Sequence, residues 1–219
     1  MIVCISGFIG SGKDTVADYL IAEHGFNKLS FAGSLKDAVS SIFGWDREML
    51  EGSTVESRQW RETVDTWWAD RLKIPNLTPR WVLQRWGTEV CRLHFHNDIW
   101  VSSLENRLRS RSDNIVITDC RFKNEVAAIK SAGGISIRIN RGPKPIWYNE
   151  AKAYNRGPDG NTSWSISKAV LDKHKVHASE FSGVGIKYDY TVTNDTTIDD
   201  LNSEIEKIIN LQANRLVAK

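Results

Sequence analysis

The chain has 219 residues, with 29 lysines and arginines against 27 aspartates and glutamates and a formal net charge of +2. That length suits one compact α/β domain or a core with inserted segments, and the near-balance of charge carries no nucleic-acid or membrane-surface footprint. No apolar stretch approaches a membrane span, and Cys4, Cys91 and Cys120 have neither pairing nor zinc spacing, which predicts buried thiols in a reducing cytosol.

Ile2-Val3-Cys4-Ile5 reads as a first strand, and it runs into Gly7-Phe8-Ile9-Gly10-Ser11-Gly12-Lys13-Asp14-Thr15. No basic segment or small-residue cleavage site marks the start, so no signal peptide is expected. The nonapeptide is a Gly-x4-Gly-Lys phosphate loop. Its glycines let backbone N–H groups turn in around an anion, and Lys13 brings a point charge to the β- and γ-phosphates. Val16, Leu20 and Ile21 give helical spacing directly afterwards, so a helix N-terminus points at the same anion. Gly7, Gly10, Ser11, Gly12, Lys13, Asp14 and Thr15 are therefore the candidate ATP-binding residues. Asp14 stands where a Ser or Thr usually faces Mg²⁺; it can hold a hard cation or cap the helix.

Asn27 to Phe31 reads as a second strand, followed by an amphipathic helix through Leu35, Val39, Ile42 and Phe43 with Lys36 near its start. Trp60, Val64, Trp67, Trp68 and Leu72 fall at helical spacing and predict one longer helix. Thr78 and Pro79 provide an N-cap and first position for another. There, Val82, Trp86, Val90 and Leu93 form the predicted apolar stripe. Gln84, Thr88 and Arg92, with Arg85 beside them, project from the opposite side, either as an acceptor wall or as a solvated face. His94 and His96, two apart, share no helical face and give no metal site. Ile99 to Leu108 reads as helical.

Ile115 to Asp119 predicts a β-branched strand ending in an acid. Glu125 to Ala132 reads as helix, stopped by Gly133-Gly134, and Ile135, Ile137 and Ile139 alternate as a strand closing at Arg141. Residues 142–180 have weak periodicity and suit a lid-like insertion. Arg141, Lys144, Lys152 and Arg156 read as solvated charges, of which one could close over the phosphates as a lid cation, and Trp147 or Trp164 as packing residues or a platform for a base. Tyr188 to Val192 is a last strand, and Thr197 with Asp200 forms a capping box before Leu201, Ile205, Ile208 and Ile209.

The βαβα order predicts a P-loop NTPase fold: a parallel sheet flanked by helices, with helical acceptor-binding and lid insertions. We expect one domain over 1–219, with core 1–44, 112–141 and 186–219, an acceptor-binding region 45–111 and a lid 142–185. A phosphate loop after the first strand puts the site at the carboxyl ends of the strands. Asp119 lies at that rim as a second Mg²⁺ candidate, and Arg121 could bridge the transferring group and the acceptor or pair with Glu125. Lys36 follows a strand at the same rim and is either a phosphate contact or helix surface.

The combination of GFIGSGKDT, Phe31-Ala32-Gly33-Ser34-Leu35-Lys36, Leu83-Gln84-x-x-Gly87-Thr88-Glu89, Asp119-Cys120-Arg121-Phe122-Lys123-Asn124-Glu125 and His177-Ala178-Ser179-Glu180 resembles bacteriophage deoxynucleoside monophosphate kinases. The likeness covers residues 1 to about 210. It implies ATP and Mg²⁺, a deoxynucleoside 5′-monophosphate as acceptor, a diphosphate as product, and supply of phage DNA precursors in the host cytoplasm. Lys13, Asp119 and Arg121 take catalytic positions. Lys36, Gln84, Arg85, Thr88, Arg92 and Trp147 are candidates for the acceptor. Asn194 falls where related kinases approach adenine, and Glu180 matches a family motif of unassigned role. Gly33-Ser34 departs from the Asp-Pro-like pair expected there. A kinase of another small phosphorylated acceptor, such as phosphomevalonate, and a non-catalytic ATP-binding regulator are the alternatives. No nucleic-acid or membrane partner is expected; a homodimer stays open.

Overall fold

β-Branched runs build the sheet. In the computed structural model, which describes residues 1–158 and 163–217, five strands form one parallel sheet. They are β1 (Ile2–Gly7), β2 (Asn27–Leu29), β3 (Ile115–Ile117), β4 (Ile135–Asn140) and β5 (Tyr190–Thr193), in the order β2-β3-β1-β4-β5. Central β1 pairs with β3 through Val3↔Val116 and with β4 through Ser6↔Arg138 and Gly7↔Ile139. Because the strands are parallel, the loop after β1, Thr118 to Arg121, Arg141 and Asn194 all emerge at one rim. The chain leaves β1 toward β3 and leaves β4 toward β5, so the order reverses between β1 and β4. A crevice for a ligand opens at such a point.

The chain folds as two compact units, one comprising Met1–Ser30 with Arg111–Lys219 and the other Phe31–Ser110. In the first, alternation decides the faces. Val3, Ile5, Ile137 and Ile139 pack on one side against Val16 and Leu20 of helix Lys13–His24 and Leu201 and Ile205 of helix Ile198–Val217. Each such side chain contributes roughly 1.5–3 kcal/mol by leaving water. Cys4, Ser6, Ser136 and Arg138 occupy the alternate positions. The expected capping box forms: Asp200 N–H donates to Thr197 Oγ1 at 3.2 Å, and Thr197 N–H donates back to Asp200 Oδ2 at 3.3 Å.

The insertion after β4 contains helices Tyr148–Asn155, Ser163–Lys173 and Ala178–Phe181. Ala151, Leu171, Phe181 and Val184 form its core, with Phe8 and Trp147 packed against them. It is thus more helical than its weak periodicity suggests; residues 159–162 lie outside the described ones. Trp164 stacks on Tyr154 at 5.0 Å, in keeping with the packing reading.

The second unit departs from the sequence pattern in three places. Helix Gly33–Phe43, read above as part of the core, sends Leu35 and Val39 into this unit's own cluster with Trp45, Leu50, Leu77 and Val82. The single helix expected across Trp60 to Leu72 is two, Val55–Glu62 and Thr66–Leu72. Thr63 is extended and Asp65 caps the second helix through Trp68 N–H at 3.1 Å, so local capping outweighs the periodic match. Most consequential, the helix begun by Thr78 and Pro79 stays α-helical only over Pro79–Gln84, and Arg85–Phe95 winds as a π-helix.

A π-turn bonds five residues back, as from His96 N–H to the Cys91 carbonyl at 2.9 Å, and so rotates each side chain by less than an α-turn. The predicted stripe therefore slides off the core after Trp86. Leu93 is 72% exposed and Val90 exposed, whereas Arg92 is only 7% exposed and donates to the Asn97 carbonyl at 2.8 Å. Seven of the nine tryptophans belong to this unit, and Trp45, Trp60, Trp68, Trp86 and Trp100 form or flank its core around Phe43. The third thiol, Cys91, is half-buried rather than buried.

Candidate active site

The phosphate loop closes where β1 ends. Ser11 N–H donates to the Phe8 carbonyl at 3.1 Å, Gly12 adopts φ 97°, and helix Lys13–His24 begins with no side-chain cap. Its first N–H groups have no partner within the helix and suit an anion. Two glycines are sterically required. A Cβ on Gly7 would meet Ser11 Oγ at 2.3 Å and the Ile139 carbonyl at 2.7 Å, and one on Gly12 would meet Asn194 Nδ2 at 2.5 Å. Thr15 lies half-buried in the first helical turn.

Lys13 Nζ donates to the Phe8 carbonyl at 2.9 Å. Burial, opposed by Asp14 and reinforced by Arg121 and Arg138, brings its ammonium down to about 8. Asp14 is exposed and pairs with Lys28 Nζ at 3.0 Å, while Thr118 Oγ1 donates to Asp14 Oδ1 at 3.3 Å. Burial pushes this carboxyl up, but Lys28, Lys13 and Thr118 together hold it below its ordinary value. Asp119 follows Thr118 past the end of β3 and is half-buried.

Arg121 resolves an ambiguity of the sequence. Glu125, buried, accepts from the backbone N–H groups of Arg121 at 2.7 Å and Phe122 at 3.0 Å, which starts helix Lys123–Ser131. Its carboxylate thus caps a helix, and the Arg121 guanidinium reaches toward the Ser179 carbonyl at 3.4 Å instead. The His-Ala-Ser-Glu motif explains itself here: His177 Nδ1 accepts from Ser179 N–H at 3.2 Å, which turns the chain into the short helix bearing Glu180.

These groups surround a cavity of about 260 Å³ beside the loop, lined by Gly7, Phe8, Lys13, Arg121, Arg138, Trp147 and Glu180 among others. Trp147 stands edge-on to Phe8 at 5.6 Å. Of the insertion's cations none lines this cavity: Lys144 rests on Tyr148, Lys152 and Arg156 are exposed, and Arg141 reaches the Gly10 carbonyl at 3.5 Å. Asn194 is buried, and its amide donates to the Ser11 carbonyl at 2.9 Å, so it braces the loop from behind.

Sequence reasoning missed Arg138, Ser6 and Tyr188. The available signal was an arginine inside the alternating run Ile135 to Ile139, a position that a buried sheet does not usually give to a cation.

In the second unit, Lys36 is tied to Glu51 at 2.5 Å, and Arg92 is turned inward as described. Gln84 and Thr88 are half-buried, while Arg85 lines an apolar cavity of about 190 Å³ with Phe43, Leu77, Trp81 and Trp86. Arg85 and Arg92 thus have different surroundings and do not form the single polar face that an unbroken α-helix predicts.

Asp14, Thr118 and Asp119 offer hard oxygen donors at one rim. That fits a magnesium ion whose other ligands are phosphate oxygens and water. Among the described residues, no cluster of three His, Cys, Asp or Glu gathers to hold a metal unaided. Nor is any described helix long and apolar enough to cross a membrane.

The sheet order and the loop at the end of β1 define the P-loop kinase class. No protein-family model matches the chain. A protein of Acanthamoeba polyphaga mimivirus named "Putative deoxynucleotide monophosphate kinase" is 34% identical over 155 residues, 64% of this chain and 74% of that protein. The chain belongs to the deoxynucleotide monophosphate kinase family. Looser structural likenesses include shikimate kinase from Aquifex aeolicus, at 14% identity, TM-score 0.43 and 99% of each chain. Dephospho-CoA kinase from Campylobacter jejuni aligns at 16% identity, TM-score 0.38 and 95% of each chain.

Proposed function

We propose that the chain transfers the terminal phosphoryl group of ATP to a deoxynucleoside 5′-monophosphate in a Mg²⁺-dependent reaction that yields the diphosphate. The observation that carries this reading is the cavity beside the phosphate loop, where Lys13 and Arg121 face an aromatic wall, Trp147, and an acid, Glu180. The name of the mimivirus relative supports the same acceptor class.

Each role follows from charge. Phosphoryl transfer spreads charge over three equatorial oxygens and needs donor and acceptor in line. Lys13 and the loop amides hold the donor's β- and γ-phosphates, and Arg121 spans the transferring group and the acceptor phosphate with its planar fork. Mg²⁺, when bound, offsets charge on the phosphate oxygens, with Asp14 and Asp119 as its protein-side holders. Trp147 offers a flat face to the base. Asn194 serves ATP by keeping the loop in shape. Gln84, Arg85 and Thr88 are kept as candidates for acceptor recognition, and Trp147 and Glu180 bring the insertion after β4 to the cavity. Supply of DNA precursors in an infected cell's cytoplasm is the biological role consistent with this chemistry.

The test is purified protein with ATP, Mg²⁺ and each deoxynucleoside and ribonucleoside monophosphate, following ADP release. Turnover on one or more deoxynucleotides is expected. Turnover on phosphomevalonate with none on any nucleotide would replace this reading with the rival kinase, and no turnover at all would favour an ATP-binding regulator.

A further inference from the structure

Arg138 is a cation in the middle of the sheet. Its position on β4 faces Ser6 on β1, where the strand order reverses, and it is 8% exposed. Its guanidinium donates to Ser6 Oγ at 3.1 Å and reaches Asn140 Oδ1 at 3.4 Å, and it lies over the Phe8 ring at 4.5 Å and beside Tyr188 at 5.9 Å. Tyr188, whose phenol burial pushes up to about 12, stays a donor and also bonds Ser6 Oγ at 2.9 Å. Every one of these partners is neutral; among the described residues no carboxylate pairs with Arg138.

A buried charge without a counter-charge is costly, and proteins rarely keep one that nothing neutralises. This one lines the same cavity as Lys13 and Arg121. Three cations around so small a space repel one another, and Arg121 and Arg138 add to the burial that chiefly lowers the Lys13 ammonium. The missing partner is therefore an anion that arrives with a ligand. The guanidinium is also pinned, by Phe8 beneath it and by the Ser6 bond, so its planar fork meets an oxyanion with little further loss of freedom.

We infer that Arg138 is a fixed phosphate anchor of the cavity, holding the phosphate of the acceptor while the loop holds that of ATP. This rests on the kinase reading above only for the identity of the acceptor. Phe8 is the second residue of the phosphate loop, and its ring links the two halves: the segment that wraps the donor also supports the guanidinium that grips the acceptor. The cavity then selects a phosphomonoester over the unphosphorylated nucleoside, because only the ester supplies the counter-charge.

The experiment uses the full chain with a non-hydrolysable ATP analogue filling the loop, and compares wild type with Arg138→Met and Arg138→Lys. Binding of inorganic phosphate and of each deoxynucleoside monophosphate is measured by calorimetry, and melting temperature with and without each ligand. Arg138→Met should bind the monophosphate about 10- to 100-fold more weakly, as expected for one lost charge-assisted contact, with affinity for the ATP analogue within about twofold. Its ligand-free melting temperature should not fall, since an uncompensated buried charge has gone, while the upward shift on adding monophosphate should disappear. Arg138→Lys, charged but without the fork, should recover part of the affinity and serves as the folded control.

Unchanged monophosphate affinity in Arg138→Met would overturn the inference. So would equal weakening of ATP analogue and monophosphate together with a lower ligand-free melting temperature, which would make Arg138 a structural residue. Arg138-dependent binding of inorganic phosphate without turnover of any nucleotide would sink the proposed function and leave the anchor standing. Failure of the wild type to bind phosphate at all would remove the anchor whatever the substrate.

Discussion

The side-chain amide of Asn194 donates to the Ser11 carbonyl at 2.9 Å, joining the residue just beyond β5 to the loop that closes β1. Ser11 and Asn194 are both buried, so the bond is made away from water, and Asn194 Nδ2 also occupies the space over Gly12. The far side of the sheet thereby sets the shape of the anion site. Asn194→Ala should cost about 1–3 kcal/mol of stability, because it leaves a buried carbonyl unpaired. Affinity for an ATP analogue should fall by about 5- to 20-fold while monophosphate affinity holds; calorimetry with both ligands checks it. Equal losses for the two would point to general damage instead.

Lys13 makes a pH prediction. Burial brings its ammonium in the folded chain to about 8, below the ordinary lysine value of 10.5. Below pH 8 it is charged in both folded and unfolded chains. Between the two values the unfolded chain holds the extra proton, so the apo protein gains stability from this group as pH rises through that window. Phosphate binding favours the charged ammonium and raises its value. ATP-analogue affinity should therefore be flat near pH 7 and fall above pH 8, with proton uptake on binding at pH 8.5. Calorimetry in buffers of different ionisation enthalpy measures that uptake; zero uptake would place Lys13 away from the phosphates. Lys13→Met should lower turnover by about 10²- to 10³-fold, the usual scale for losing one preorganised charge contact.

Glu125 holds the Asp119-to-Phe122 bend through two backbone N–H groups, at 2.7 and 3.0 Å. Glu125→Ala should destabilise by about 1.5–3 kcal/mol for each charged bond that water does not replace. Arg121 would lose its direction with it. The expected kinetic sign is a lower kcat together with a higher monophosphate KM, read beside a thermal melt. A lower melting temperature with unchanged kinetics would separate the bend from Arg121's task.

Asp14 is shared between Lys28 and the proposed metal. Asp14→Asn should leave metal-free ATP-analogue binding within about twofold and raise the Mg²⁺ needed for half-maximal turnover by about 10-fold or more, the scale for lost metal-shell partners. Stability should change by less than about 1 kcal/mol, since the Lys28 pair is exposed. A Mg²⁺ requirement identical to wild type would confine Asp14 to that surface pair.

What was legible in the sequence, and what was not, divides by range. The first strand announced itself through the apolar run of residues 2–5 and the fourth through the alternating Ile135, Ile137 and Ile139, and Thr78-Pro79 and Thr197 with Asp200 through cap chemistry that involves only neighbouring residues. The Asp-x-Arg stretch located Arg121, yet only the fold showed that Glu125 caps the backbone and leaves the guanidinium to the cavity. The stripe from Val82 to Leu93 failed because a π-helical winding changes the angle per residue, which no periodicity count at 100° can register. The break at Thr63 to Asp65 was hidden by a coincidental match in spacing.

Alone, the sequence determined the phosphate loop and the helix behind it, which depend on consecutive residues whose backbone and side-chain preferences act locally, and its βαβα alternation pointed to a parallel sheet. Tertiary structure alone decided that Arg138 meets Phe8 and Ser6, that Asn194 grips Ser11, and that Arg92 turns inward. Those outcomes depend on which strands become neighbours and how a helix is wound, and electrostatics and packing across that distance exist only once the chain has closed upon itself.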